Sequence, residues 1–200
     1  MRAVRRFLLL ALLVLVPLGS PARAAGHTVS DPRGDQMLPL DASYDIVSAD
    51  VVIRQGQLIA SITMAAPIDV ANGDGRWLML LAAVPACPDG QLTWAIMNPM
   101  HLPVEFSAAS DLTCGHDRVR LDQHIVVSGR TVTWRTPWKA VASHLPPHGA
   151  YATDFQVISD VEDPATGLVG TRYLHADVKS VTMDLFDADT AYSAAWLRLT

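Results

Sequence analysis

The sequence predicts an all-β protein built as a single antiparallel β-sandwich, immunoglobulin-like or jelly-roll-like, with a closed barrel as second choice. Three observations point there. Apolar and polar residues alternate with period two through two hairpin-like stretches, 47–64 and 118–135. The composition disfavours helices, with eighteen Asp against two Glu, two Lys against thirteen Arg, 13 Pro and 12 Gly. Glu and Lys are good helix formers, whereas Asp prefers turns and caps. Finally, there is no β-α-β rhythm and no internal repeat.

Residues 1–24 read as a cleaved secretory signal peptide. Arg2, Arg5 and Arg6 form a positive n-region, Phe7–Val16 is an unbroken apolar run, and Ala22-Arg23-Ala24 is the expected cleavage site. That run is too short to cross a hydrocarbon core of about 30 Å as a helix. The Arg5-Arg6 pair lacks the rest of a twin-arginine signal, and no cysteine near the site offers a lipid anchor. The mature chain is therefore expected outside the cytoplasm. Residues 25–43 read as a lead-in and 44–200 as the sandwich domain. The most apolar later stretch, Trp77–Val84, is strand-length and stops at Pro85, so no transmembrane anchor is expected.

In the first hairpin Val47, Ala49, Val51 and Ile53 share one face, Gln55-Gly56 turns the chain, and Leu58, Ala60, Ile62 and Met64 continue that face. In the second, Val119, Leu121, Ile125 and Val127 alternate with polar residues, Ser128-Gly129 turns, and Val132 and Trp134 return. Two-residue loops ending in Gly suit type I′ turns. Less regular strands are expected at Trp77–Val84, Gln91–Met97 and Val104–Ser107. After the loop 143–149, further strands are expected at Tyr151–Val161 and Leu168–Ala176. The tail alternates at Val181, Met183 and Leu185, then admits a short C-terminal helix over Asp187–Leu197.

Residues 25–200 hold 20 acidic and 11 basic side chains, a formal charge of −9. That balance excludes nucleic acid and anionic lipid as natural partners, since both call for clustered Lys and Arg. Cys87 and Cys114 are the only cysteines, and in an exported chain they are expected to form a disulfide.

Asp31-Pro-Arg-Gly-Asp35, followed by Asp41 and Asp45, is the most suggestive cluster. Closely spaced Asp on a Gly-containing loop can wrap oxygens around a hard cation such as Ca²⁺, with Asp31, Asp35 and Asp45 the expected ligands. The plainer reading is a set of Asx-turns at the sandwich edge. The acidic groups around Asp69–Asp74, Asp160–Asp163 and Asp184–Asp189 read as solvated turns.

At Asp31–Asp35, Asp45–Arg54, Leu58–Met64 and Gly129–Trp134 the chain resembles exported bacterial sandwich domains. These are the accessory domains of secreted glucodextranase-type enzymes, similar to carbohydrate-binding modules of family 9. The resemblance implies a sandwich and calcium near the N-terminal Asp pair. Gln36 departs from it, standing where a further acid often follows.

A catalytic role is not expected. The seven His form no HExxH set, and neither a GxSxG elbow nor an SxxK signature is present. Of the five Trp, Trp94 and Trp134 alternate with core residues, which leaves Trp138 and Trp196 as the expected ligand-binding aromatics. The sequence thus points to a secreted, non-catalytic module for carbohydrate or another cell-surface glycan. The alternatives are a protein-interaction or structural part of the cell envelope, and a small secreted hydrolase built around His101, His144 or His148.

Overall fold

The computed structural model describes residues 25–36, 40–69, 73, 75–87, 89–98, 107–162, 170–171 and 184–199. The expected signal peptide, His101 and most of the 168–176 strand candidate lie outside them. In chain order the strands begin with β1 (Ala25–Ser30), β2 (Ile46–Arg54), β3 (Gln57–Met64), β4 (Arg76–Ala83), β5 (Gln91–Asn98) and β6 (Ser107–Cys114). They continue with β7 (Asp117–Arg120), β8 (His124–Ser128), β9 (Thr131–Pro137), β10 (Tyr151–Glu162), β11 (Gly170–Thr171), β12 (Asp184–Ser193) and β13 (Leu197–Arg198). A single helical turn, α1 (Trp138–Ala142), follows β9.

Two sheets form the sandwich. The first has the order β1-β2-β3-β9-β8; the second runs β11-β12-β10-β4-β5-β6-β7, with β13 also on β10. All pairings are antiparallel except the two-residue contact of β11 with β12. The expected apolar face of the first hairpin is the core face: Leu58, Ala60, Ile62 and Met64 are fully buried. They meet Leu78, Leu80, Leu92, Trp94 and Ile96 of the second sheet in one continuous core with Trp134 and Phe155.

The turns follow backbone chemistry closely. Gln55 and Gly56 both have positive φ (51° and 72°), as a type I′ hairpin requires. The second hairpin is shifted by one residue from expectation. Ser128 pairs with Thr131, so the turn is Gly129-Arg130, with φ of 56° at Gly129. Glycine at the first central position is the type II′ solution.

Four further expectations are corrected. The stretch 117–127 is not one strand: β7 closes the second sheet, the chain crosses at 121–123, and β8 opens the first. Buried Leu121 makes the crossing, its N–H bonded to the Ser110 carbonyl. The lead-in begins with a strand, because β1 pairs along β2 from Ala25↔Ile53 to Ser30↔Ser48. The C-terminal helix is absent: 187–193 belongs to β12, whose backbone hydrogen bonds are satisfied by β10. Finally, β6 was not expected as a strand beyond Ser107, since Ser-Ala-Ala-Ser-Asp carries no apolar alternation.

The disulfide is present, joining Cys87 in the β4–β5 turn to Cys114 at the end of β6. Among the described residues no helix is long and apolar enough to cross a membrane.

Candidate functional site

Two places on the sandwich bring together side chains with chemistry to offer. The first is an apolar groove at one end of the second sheet, about 510 Å³ in volume, lined by Pro85, Ala86, Gly149, Tyr151, Thr153 and Trp196. Strand alternation puts Tyr151 and Thr153 outward while Ala152 points into the core. Trp196 follows β12 in the three-residue connection to β13 and is 63% exposed. Its ring meets Tyr151 edge to face, with centroids 5.3 Å apart at 89°. Such T-shaped pairs add about 0.5–1.5 kcal/mol beyond area burial, a modest bias toward this attitude of the indole.

A fixed carboxylate stands beside this shelf. The pairing of β10 with β4 slips between Thr153 and Gln156, and Asp154 there has a positive φ of 52°. The Thr153 hydroxyl donates to one Asp154 oxygen at 2.6 Å and the Tyr192 hydroxyl to the other at 2.7 Å. These two bonds hold the Asp154 carboxyl below the usual carboxylate range, Thr153 contributing most, and the same contact raises the Tyr192 hydroxyl.

The groove's other wall is the β4–β5 turn. Val84 N–H bonds to Gly90 O, Cys87 N–H to Val84 O and Gly90 N–H to Cys87 O, all at 2.8–2.9 Å. A Cβ on Gly90 would stand 2.2 Å from Val84 O and 2.6 Å from Cys87 Cβ. Gly90→Ala is therefore expected to lower unfolding stability by about 1–3 kcal/mol, the usual range for forced overpacking. A urea titration against the wild type measures it.

The second place is an acidic cluster where the two sheets meet. Asp31 follows β1, Asp35 lies on the loop beyond it, and Asp189 projects from β12; one carboxylate oxygen from each falls within 4.8 Å of the others. Asp31 N–H bonds to Val47 O, which fixes the loop against β2. Asp45, only 3% exposed, accepts from Gly34 N–H at 2.8 Å, and Asp189, 4% exposed, accepts from Ile46 N–H at 2.5 Å. Burial first, then the negative charges of Asp189, Asp35 and Asp45, pushes the Asp31 carboxyl up to about 6. A hydrogen bond to Asp189 adds to that shift.

No family model, curated protein or solved structure matches the chain. What the sites can do rests on their own side chains.

Set against expectation, the structure brings Asp31 and Asp35 together and places Asp45 behind them, while the third member of the cluster is Asp189. Sequence spacing gave no signal for Asp189, which is 158 residues from Asp31 along the chain. Trp196 is exposed as expected. Trp138 is instead partly buried at the start of α1 and packs on the core, away from the groove. His144 and His148 are exposed on their loop, and no acid or serine is bonded to either among the described residues. Among the described residues the one Ser–His contact is Ser193 Oγ to His27 Nε2, at 2.8 Å. Asp50, the acid near that ring, accepts from Thr28 Oγ1 at 2.6 Å, and among the described residues no carboxylate is hydrogen-bonded to the imidazole as a triad would require. Burial lowers the His27 pKa, with Asp50 opposing. The pair acts as a link from β1 to β12.

Proposed function

We propose that this protein is an extracytoplasmic, non-catalytic sandwich module that binds carbohydrate, a cell-wall or cell-surface glycan, in the Trp196 groove. The observation that carries the reading is the 63% exposed Trp196 held edge-on by Tyr151 over an apolar floor. A large indole left mostly in water beside a second exposed aromatic is the kind of surface a ligand covers. Sugar rings present apolar C–H faces to an aromatic and hydroxyls around their rim. Asp154, pinned by Thr153 and Tyr192, offers acceptor oxygens for those hydroxyls beside the shelf. Concave apolar walls with a few fixed polar groups are the general pattern of small-ligand sites. The disulfide and the leader-like N-terminus support the compartment.

The test is retention of the purified protein on insoluble polysaccharides and isolated cell walls. Trp196→Ala is expected to weaken retention by about tenfold or more, the loss typical of a central aromatic contact. Asp122→Asn, an exposed change away from the groove, is expected to leave it intact. Absence of retention on every matrix, or a Trp196→Ala protein that binds like the wild type, overturns the reading. Either result turns the search to a protein partner.

A further inference from the structure

A hydroxyl that donates its one O–H to a neighbour has only lone pairs left for a ligand. Thr153 and Tyr192 both do this, giving their O–H to Asp154 at 2.6 Å and 2.7 Å. Asp154, held below the usual carboxylate range by those bonds, is ionised and has no donor of its own. The rim beside the groove thus presents acceptors alone: two hydroxyl oxygens and a carboxylate. Because Thr153 also lines the groove, this rim adjoins the shelf of Tyr151 and Trp196.

The charge on that rim is not met within the protein. Among the described residues Asp154 forms no ion pair, and no base contributes to its shift. Arg198, opposite Tyr151 on β13, has an interaction of its own. The surface around the carboxylate is aromatic. Four large apolar side chains are exposed among the described residues, and three of them are Tyr151, Tyr192 and Trp196. Such residues scattered singly need no explanation, but grouped they mark a binding surface. Aromatic faces are negative, so the rings and the carboxylate favour the same kind of ligand group, a cation.

We propose that the groove is selective for glycans with free amino groups, that is, de-N-acetylated hexosamine units, and that Asp154 determines this specificity. The inference rests on the glycan reading of the same groove and deepens it. A protonated amino group has N–H donors and no acceptor, the complement of an acceptor-only rim. The C–H face of the sugar covers the indole, while the ammonium is drawn to the carboxylate and to the ring faces. N-acetylation replaces the cation with a neutral amide whose carbonyl finds no donor on this rim. Uronic acids and sulfated sugars set a like charge beside Asp154 and are rejected. The formal charge of −9 on residues 25–200 favours approach of a polycationic strand. A lysine-rich peptide shares the ammonium but brings a flexible chain, not a flat ring, to the indole.

Titration calorimetry of the purified protein with tetramers of glucosamine and of N-acetylglucosamine tests this, in mildly acidic buffer where the amines are protonated. Asp154 stays ionised there because its carboxyl is held low. The amino tetramer is expected to bind about tenfold or more tighter, the gain of one charge-assisted contact. Asp154→Asn is expected to abolish the preference. Asparagine tolerates positive φ, so the backbone at 154 keeps its form. Asp122→Asn removes the same charge from an exposed site away from the groove and should keep the preference. That pair of variants separates a local contact from attraction by net charge. Equal affinity for the two tetramers, lost in Trp196→Ala, overturns the amino-sugar selectivity and leaves the glycan reading standing. Retention on a neutral polysaccharide without binding of either tetramer does the same. A preference that survives Asp154→Asn overturns the role of Asp154. Tighter binding of tetralysine than of the amino tetramer overturns the sugar assignment in favour of a basic peptide.

Discussion

Replacing Arg76 with methionine is expected to lower stability by about 1–3 kcal/mol, the cost of leaving a buried hydrogen-bonding group without its partner. Arg76 opens β4 and is 1% exposed, so its charge sits almost wholly out of water. Two of its guanidinium nitrogens donate to Ser43, one to the carbonyl and one to the hydroxyl, both at 2.6 Å. The guanidinium also lies over the Tyr44 ring, 4.1 Å from its centroid. The influence passes outward: Ser43 bonds hold Asp41 below the usual carboxylate range, with a smaller contribution from Arg76 itself. Methionine fills similar volume but donates nothing, leaving the buried Ser43 carbonyl without the Arg76 donor.

Lysine does not rescue the site, because one ammonium cannot reproduce a planar fork that bonds and stacks at once. The urea midpoint measures the loss, and Arg76→Lys should recover less than half of it. A stable Arg76→Met protein would show that the Ser43 bonds contribute little net energy.

Local pattern and long-range topology account for what the sequence discloses. The β2–β3 hairpin is legible because Leu58, Ala60, Ile62 and Met64 alternate strictly and Gln55-Gly56 accepts positive φ at both positions. Trp94 and Trp134 are legible for the same reason, each sharing a strand face with residues that are fully buried. Alternation misleads at 119–127, where Leu121 keeps the apolar rhythm while the chain changes sheets. The inward side of both sheets is apolar, so period two continues across a crossing between them. Strand β6 is illegible because its buried positions include Ser110 and Asp111, and pairing with β5 and β7 decides its state. Asp111 is covered by Arg118 from β7 at 2.5 Å, a contact no local pattern shows. In Asp184–Ser193, small and acidic residues allow helix locally, but eight pairings with β10 override propensity.

The candidate site divides along the same line. Asp31 and Asp35 share one loop, and their spacing signals a common purpose. Asp189 joins them only through the packing of β12 on the β1–β2 edge. Asp45 looks like another ligand in sequence but serves from behind, because the chain enters β2 there and buries it. Among the aromatics, Trp138 follows Pro137 in an apparently open loop, whereas α1 turns it onto the core.

Removing the disulfide tests the wall of the groove. The Cys87→Ser, Cys114→Ser double variant is expected to lose about 3.5 kcal/mol of stability, the chain-entropy value for a bridge spanning 27 residues. Reducing agent applied to the wild type should reproduce that loss. The bridge holds the β4–β5 turn against the end of β6, and the same turn supplies Pro85 and Ala86 to the groove wall. Freed from β6, the turn keeps its three internal hydrogen bonds but not its anchor, so glycan retention should fall. If retention survived while stability dropped, the wall formed by Pro85 and Ala86 would be dispensable, and recognition would rest on Trp196, Tyr151 and Asp154 alone.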